Sequence, residues 1–204
     1  MNAAAQRVGR GQVPAVADAV ARGFHDNEIW AWVIPDEERR ARLLPRVYEA
    51  LLRQVYLRRG EAWTTADAVG AALWLPPGQP KRRLRDHIAE SVALFPGVGI
   101  GGASRGARID ALTAKHHPAE PHWYLEVLSI APEHQRRGHG SALLAPVLDR
   151  CDAGGVPAYL ETNREPNLPY YRRFGFELTE RIALSDSPPL WLMWRESRGG
   201  QRLG

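Results

Sequence analysis

Apolar residues recur along this chain with two different periods, and the switches between them mark out the elements. From Pro14, the apolar positions Val16, Ala17, Val20 and Phe24 keep helical spacing, and Pro14 suits a first turn. Asp36 opens a longer helical stretch through Leu43, Leu44, Val47, Leu51 and Tyr56, with Pro45 as a point of kinking. The aromatic-containing segment from Phe24 to Ile34 reads as a connector. Residues 61–65 and 69–75 then carry a strand signature around Ala66-Asp67-Ala68, a hairpin closed by Pro76-Pro77-Gly78. Helical spacing returns over 81–95 and 103–115, on either side of a glycine-rich stretch. A strand is predicted over 122–130, a helix over 138–153, a strand over 157–162 and a short helix over 167–174. Final strands are predicted over 176–184 and 190–195. Residues 1–12 and 196–204 read as loose termini. The alternation in the second half implies one α/β domain over 1–204, built on a mixed sheet.

Composition narrows the class. The chain has 204 residues, 44% of them apolar and 25% charged, enough to bury a core without disulfides or metal. No apolar run is long enough to span a bilayer, and Met1-Asn-Ala-Ala-Ala-Gln-Arg has no signal-peptide core. With Cys151 as the single cysteine, a reducing, cytoplasmic setting is expected. Net charge is +4, and lysine occurs only at Lys81 and Lys115, so arginine carries nearly all the basic charge. Acidic residues interrupt almost every basic stretch. That pattern fits a compact phosphate site better than a nucleic-acid face. The histidines lack ligand-like spacing, so no metal is expected.

The chemistry concentrates in Gln135-Arg-Arg-Gly-His-Gly140, which joins the strand over 122–130 to an apolar helix. Backbone N–H groups at a helix start have no partners within the helix and point outward together, which makes an anion site. Gly138 and Gly140 free space for a pyrophosphate beside the backbone. Arg136 and Arg137 supply charge, and His139 is a further phosphate contact. A P-loop requires Gly-Lys-Ser/Thr, which is absent, and a dinucleotide fingerprint requires glycine where Leu143 stands. Gly97, Gly99 and Gly102 do match G-x-G-x-x-G, but they follow a helix and Pro96 rather than a strand, so a loop is the expectation there.

The Gln135–Gly140 loop resembles the pyrophosphate-binding Q/R-x-x-G-x-G/A motif of the GNAT acetyltransferase superfamily. Tyr171-Arg-Arg-Phe-Gly-Phe176 is similar to its Y-x-x-x-G-F signature. More narrowly, Glu120-Pro-His-Trp-Tyr-Leu, Gly155-Val-Pro-Ala-Tyr-Leu-Glu-Thr162 and Asn167-Leu-Pro-Tyr-Tyr171 resemble puromycin N-acetyltransferase-like proteins. This resemblance implies a GNAT fold, a mostly antiparallel mixed sheet flanked by helices and splayed at an acetyl-CoA slot. It further implies acetyl transfer from acetyl-CoA to a primary amine, on a small aminonucleoside or antibiotic-like compound. Leu128, Ser129, Ile130, Gln135, Arg136, Arg137, Gly138, His139, Gly140, Ser141 and Asn167 become the cofactor-binding residues.

By the same resemblance Tyr171 is the acid that protonates the departing thiolate, with ring packing as its alternative role. Tyr170 is assigned to packing. Glu161, at the end of the strand lining the splay, is the leading general base, and Glu126 on the opposite strand is the other candidate. This chain departs from the superfamily in carrying Arg164 where an asparagine usually stands. Asn167, four residues before Tyr171, either contacts the cofactor or caps its helix. Cys151 reads as core. Trp30 and Trp32 read as packing residues, in a stretch where the fold would line an acceptor site. Two rival readings remain: a protein-directed acetyltransferase and a non-catalytic acyl-CoA-binding regulator.

Overall fold

The computed structural model describes residues 4–79 and 84–199, excluding the side chains of 84–96. Residues 1–3, 80–83 and 200–204, which include parts of the expected arm, helix and tail, lie outside the described set. Among the described residues seven strands make one sheet: β1 (Ala5–Arg7), β2 (Glu61–Thr65), β3 (Gly70–Leu75), β4 (Trp123–Ile130), β5 (Ala158–Thr162), β6 (Glu177–Ile182) and β7 (Leu190–Arg195). Their order is β1-β2-β3-β4-β5-β7-β6. Every neighbouring pair is antiparallel except β4 and β5, which run parallel. The mixed, mostly antiparallel sheet expected from the sequence is therefore present.

Two irregularities in β4 position the site. Its pairing with β5 covers only Trp123–Leu125 against Ala158–Leu160, after which the strands separate. On its other side, Leu73 pairs with Val127 but Trp74 with Leu125, leaving Glu126 as the extra residue of a β-bulge. A bulge bends its strand and re-aims the inserted side chain. Glu126 thus sits where the sheet opens.

Helices cover both faces. On one face lie α1 (Val13–Gly23), α2 (Glu28–Val33), α3 (Glu37–Leu51) and α4 (Leu84–His116). On the other lie α5 (His139–Gly154) and the short α6 (Leu168–Arg172). The first core joins Val16, Val20, Leu44, Val47 and Leu52 to Leu73, Val127 and Tyr159. The second joins Leu143, Leu144 and Val147 to Trp74, Leu125, Leu160 and Phe176. Burying each such side chain contributes about 1.5–3 kcal/mol.

Local chemistry explains several boundaries. Asp36 Oδ1 accepts the Arg39 N–H at 2.7 Å and starts α3, as the sequence suggested; Pro45 lies within α3, which runs into a π-turn at Leu52–Tyr56. The expected connector over Phe24–Ile34 instead contains α2. Its signal was a single cap, Asn27, whose Oδ1 accepts the Ile29 and Trp30 N–H groups at 3.0 and 3.1 Å. The glycine-rich stretch breaks α4 at one residue, Gly99 (φ 67°, ψ 169°), so two helical segments meet at a kink. The N-terminal arm is not loose over its whole length. Ala5–Arg7 pair with β2, Arg7 stacks on Trp63 at 4.7 Å, and Val8 is buried. Beyond β7, the Arg198 N–H bonds Asp152 Oδ1 at 2.7 Å, which ties the start of the expected tail to α5.

Candidate active site

Where β4 and β5 part, two cavities meet. One, of about 690 Å³, lies under α1–α4 and is walled by Phe24, Trp30, Tyr48, Val98 and Ile109. The other, of about 760 Å³, runs from the strand gap to the start of α5, past Leu128, Arg136, Gly138, Ser141 and Tyr171. Phe24, Asn27, Glu126, Glu161 and Asn163 line both. The junction therefore carries two carboxylates.

The loop before α5 has the shape its sequence promised. Gly138 occupies the left-handed region (φ 85°) at the N-cap, and Arg136 does so as well (φ 60°). The first intrahelical bond is donated by Ala142 to Gly138 at 3.1 Å, so the N–H groups of His139, Gly140 and Ser141 remain for an anion. Each contact of an anion with such a helix start contributes about 0.3–1 kcal/mol. A Cβ on Gly138 would meet nothing within 4 Å, which leaves an open cradle there. Gly140 is small for a different reason. A Cβ there would stand 2.6 Å from the Tyr170 hydroxyl, so Tyr170 packs onto the helix start and lines the cavity. From sequence Tyr170 had only a packing role, because this contact joins residues thirty positions apart.

Other expected contacts divide. Leu128, Ser129, Ile130, Gln135, Arg136, Gly138, Gly140, Ser141 and Asn167 all line the second cavity, whereas Arg137 and His139 are not in its wall. Ser129 Oγ donates to Val20 O at 3.0 Å, so its hydroxyl is committed to α1 and only its backbone faces a ligand. Gln135 Nε2 donates to Ile130 O at 3.0 Å and pins the loop to the end of β4. Asn167 does not cap α6 through its side chain; its Nδ2 reaches Thr162 Oγ1 at 3.4 Å. Arg164 and Arg173, not assigned from sequence, supply two more cations to the same wall. An anionic chain running from the strand gap to a helix start fits these residues.

Tyr171 lines the second cavity while its ring packs edge-on to Phe176 at 6.0 Å. Packing and access therefore coexist. Burial, followed by the neighbouring Tyr170, pushes its hydroxyl well above the ordinary phenol range, which keeps the proton on oxygen. Glu161 is 10% exposed and accepts from two phenols, Tyr159 at 3.2 Å on Oε1 and Tyr124 at 3.3 Å on Oε2. Glu126 accepts a short hydrogen bond from Tyr56. Asn163, which the sequence did not single out, is held by the Asn27 side chain at 2.8 Å. Because Asn27 Oδ1 already accepts two backbone N–H groups, its Nδ2 is the donor. The Asn163 oxygen is thereby occupied, and its own Nδ2 is buried with no hydrogen-bond partner among the described residues.

Comparison with known proteins agrees with this geometry. The profile of the Acetyltransferase (GNAT) family matches residues 97–176. An uncharacterised N-acetyltransferase of Schizosaccharomyces pombe is 24% identical over 209 residues, spanning 95% of this chain and 83% of that protein. The crystal structure of "histone acetyltransferase HPA2 and related acetyltransferase" from Corynebacterium glutamicum superposes with a TM-score of 0.70 at 22% identity, covering 97% of each chain. An N-acetyltransferase from Staphylococcus aureus superposes with a TM-score of 0.61 at 14% identity, over 93% of this chain and 98% of that one. The fold is the GNAT fold. With the family match over residues 97–176 and the similarity to an N-acetyltransferase, it supports an acetyl-CoA-dependent acetyltransferase.

Proposed function

We propose that the protein acetylates the primary amine of a small molecule with an apolar or aromatic body. The observation that carries this reading is the meeting of two unlike cavities at Glu126 and Glu161. The first is walled by rings: Phe24 stacks on Tyr48 at 5.5 Å, and Trp30 Nε1 donates to Tyr48 Oη at 2.9 Å. Rings so fixed suit a flat apolar group, and Asp110 with the two glutamates suits a cationic amine entering between them. The likeness of 119–195 to puromycin N-acetyltransferase-like proteins favours an aminonucleoside-like acceptor.

Acetyl-CoA supplies an activated thioester to the second cavity, its phosphates directed to Arg136, Gly138 and the start of α5. Backbone groups of β4 near Leu128–Ile130, beyond the last residue paired with β5, hold the pantetheine arm and polarise the thioester carbonyl, an effect of about 10²–10³-fold in comparable sites. An alkyl amine with a pKa near ~10 is only about one-thousandth neutral at pH 7, so it must give up a proton. Glu161 takes that proton; the nitrogen loses a second as the C–N bond forms and the C–S bond breaks, which balances the proton that Tyr171 gives to the departing thiolate and regains through solvent.

Free-thiol release tests this directly across arylalkylamines, puromycin, polyamines and lysine peptides. We expect turnover with the apolar-bodied amines, cut about 10²-fold or more by Tyr171→Phe. Turnover confined to lysine peptides would move the acceptor to proteins, as the name of the Corynebacterium structure suggests for that protein. Tight acetyl-CoA binding with no release on any amine would make the chain an acyl-CoA-binding regulator.

A further inference from the structure

Glu161 has a cavity on one side and a wall of rings on the other. Behind it stands His117, just past the end of α4, with its Nδ1 3.9 Å from Glu161 Oε1. The imidazole is enclosed by Tyr124 at 5.0 Å, Tyr159 at 5.2 Å and His122 at 4.9 Å between ring centroids. Its Nδ1 is buried without a hydrogen-bond partner among the described residues, yet its side chain keeps 17% of its surface exposed. One end of the ring thus faces Glu161 while the ring as a whole reaches solvent, and His117 does not line the acceptor cavity.

The surrounding groups have settled protonation. His122 Nδ1 lies 2.6 Å from Glu120 O, and a carbonyl can only accept, so this nitrogen carries hydrogen. Burial lowers the pKa of His122 and the Glu120 carbonyl only partly counters it, so His122 stays neutral. Burial and then the Glu161 charge raise both Tyr124 and Tyr159, which remain O–H donors to Glu161. Beyond Tyr159, Glu180 is already bonded to His116 Nδ1 at 2.9 Å. Of the titratable groups around Glu161 among the described residues, His117 is the one with a buried nitrogen lacking a partner and a route outward.

We propose that His117 is the exit for the proton that Glu161 removes from the amine. The ammonium N–H bond breaks as the Glu161 O–H bond forms. Glu161 then passes this proton to His117 Nδ1, and His117 releases the proton on Nε2 to water. The ring returns to its starting tautomer by exchange with solvent, and Glu161 is again an acceptor. Closing from 3.9 Å to hydrogen-bond reach requires a shift of about 1 Å. His117 acts through Glu161 and is a positioning residue for the proton, not a contact of the substrate.

The inference rests on the transfer reading above, so amine-dependent thiol release by the wild type is established first; its absence would sink that reading before any variant is made. With turnover in hand, His117→Gln should lower kcat on the order of tenfold, the low end for a positioned proton-transfer group, with both KM values held. Added imidazole should restore kcat in proportion to its concentration. A kcat within about twofold of wild type, or a loss that imidazole does not rescue in a folded variant, overturns the proposal. Should His117→Gln not fold, His117→Asn and His117→Ala are assayed in its place, and a folded variant whose kcat stays within about twofold of wild type, or that imidazole does not rescue, overturns the proposal.

Discussion

Burial decides what two reactive side chains can do. Cys151 is fully buried on α5, and desolvation, only partly offset by Arg195, pushes its thiol up to about 11. At pH 8 the thiolate is then about one part in a thousand. Native protein should show no labelling by a disulfide reagent during a turnover assay and release one thiol on unfolding in guanidinium; rapid labelling of the native form would contradict this burial. Tyr171 is raised by the same physics, with a different consequence. A raised value keeps the donor protonated on the alkaline side, so kcat should rise with pH as the amine deprotonates and not turn down below about pH 10. A fall in the pH–rate profile between pH 8 and 9 would remove Tyr171 from the acid role. Helical periodicity was enough to foresee the burial of Cys151, whereas Tyr171 was singled out only by its resemblance to the tyrosine of the Y-x-x-x-G-F signature. The Tyr170–Gly140 and Asn27–Asn163 contacts could not be foreseen, because each joins segments whose proximity only the folded chain sets.

The helix that presents the loop is anchored at its far end by an ion pair between a buried arginine and a partly exposed aspartate. Arg195 of β7 is 2% exposed and bonds Asp152 Oδ2 at 2.7 Å, with Phe174 O accepting from its Nε at 2.7 Å. Asp152→Ala strands a buried guanidinium and should cost about 3–5 kcal/mol, read as a lower guanidinium midpoint at unchanged slope. An unchanged midpoint would mean that Arg195 finds other partners. The pH sign follows from Asp152, whose carboxyl is held low by Arg195. A depressed folded value contributes stability above the unfolded value near ~3.9 and loses it as pH falls through the folded value, so the difference between wild type and Asp152→Ala should shrink only below about pH 4. The helix itself was legible because its apolar stripe runs uninterrupted from Leu143 to Cys151. Helix α2 was not, since six residues carry less than two turns of periodicity and depend on the Asn27 cap. The edge strand β1 was hidden for a similar reason: three residues form a strand only because β2 offers them a partner.

The two cavities meet because one sheet fails to close, and the two sides of that failure were unequally readable. The side proposed for the cofactor rests on a contiguous loop. The cavity proposed for the acceptor is assembled from α1, α2, α3 and the kinked α4, so no short motif could carry it. The glycines that mimic a nucleotide fingerprint serve this assembly. Gly97 lets Leu43 approach, Gly102 lets Val33 O approach, and Gly99 supplies the kink. Gly106 differs from them: it lies within α4, lines the acceptor cavity, and a Cβ there would meet nothing within 4 Å. Gly106→Leu should therefore spare the fold and, by replacing a helical glycine, add up to about 1 kcal/mol of stability. Its side chain would enter the space proposed for the amine's apolar body. KM for an arylalkylamine should rise by roughly tenfold, corresponding to about 1.4 kcal/mol, while acetyl-CoA affinity stays at the wild-type value. If the amine KM is unchanged in a folded Gly106→Leu protein, the acceptor does not occupy this cavity. A loss of acetyl-CoA affinity instead would mean that the two cavities are not separate binding sites.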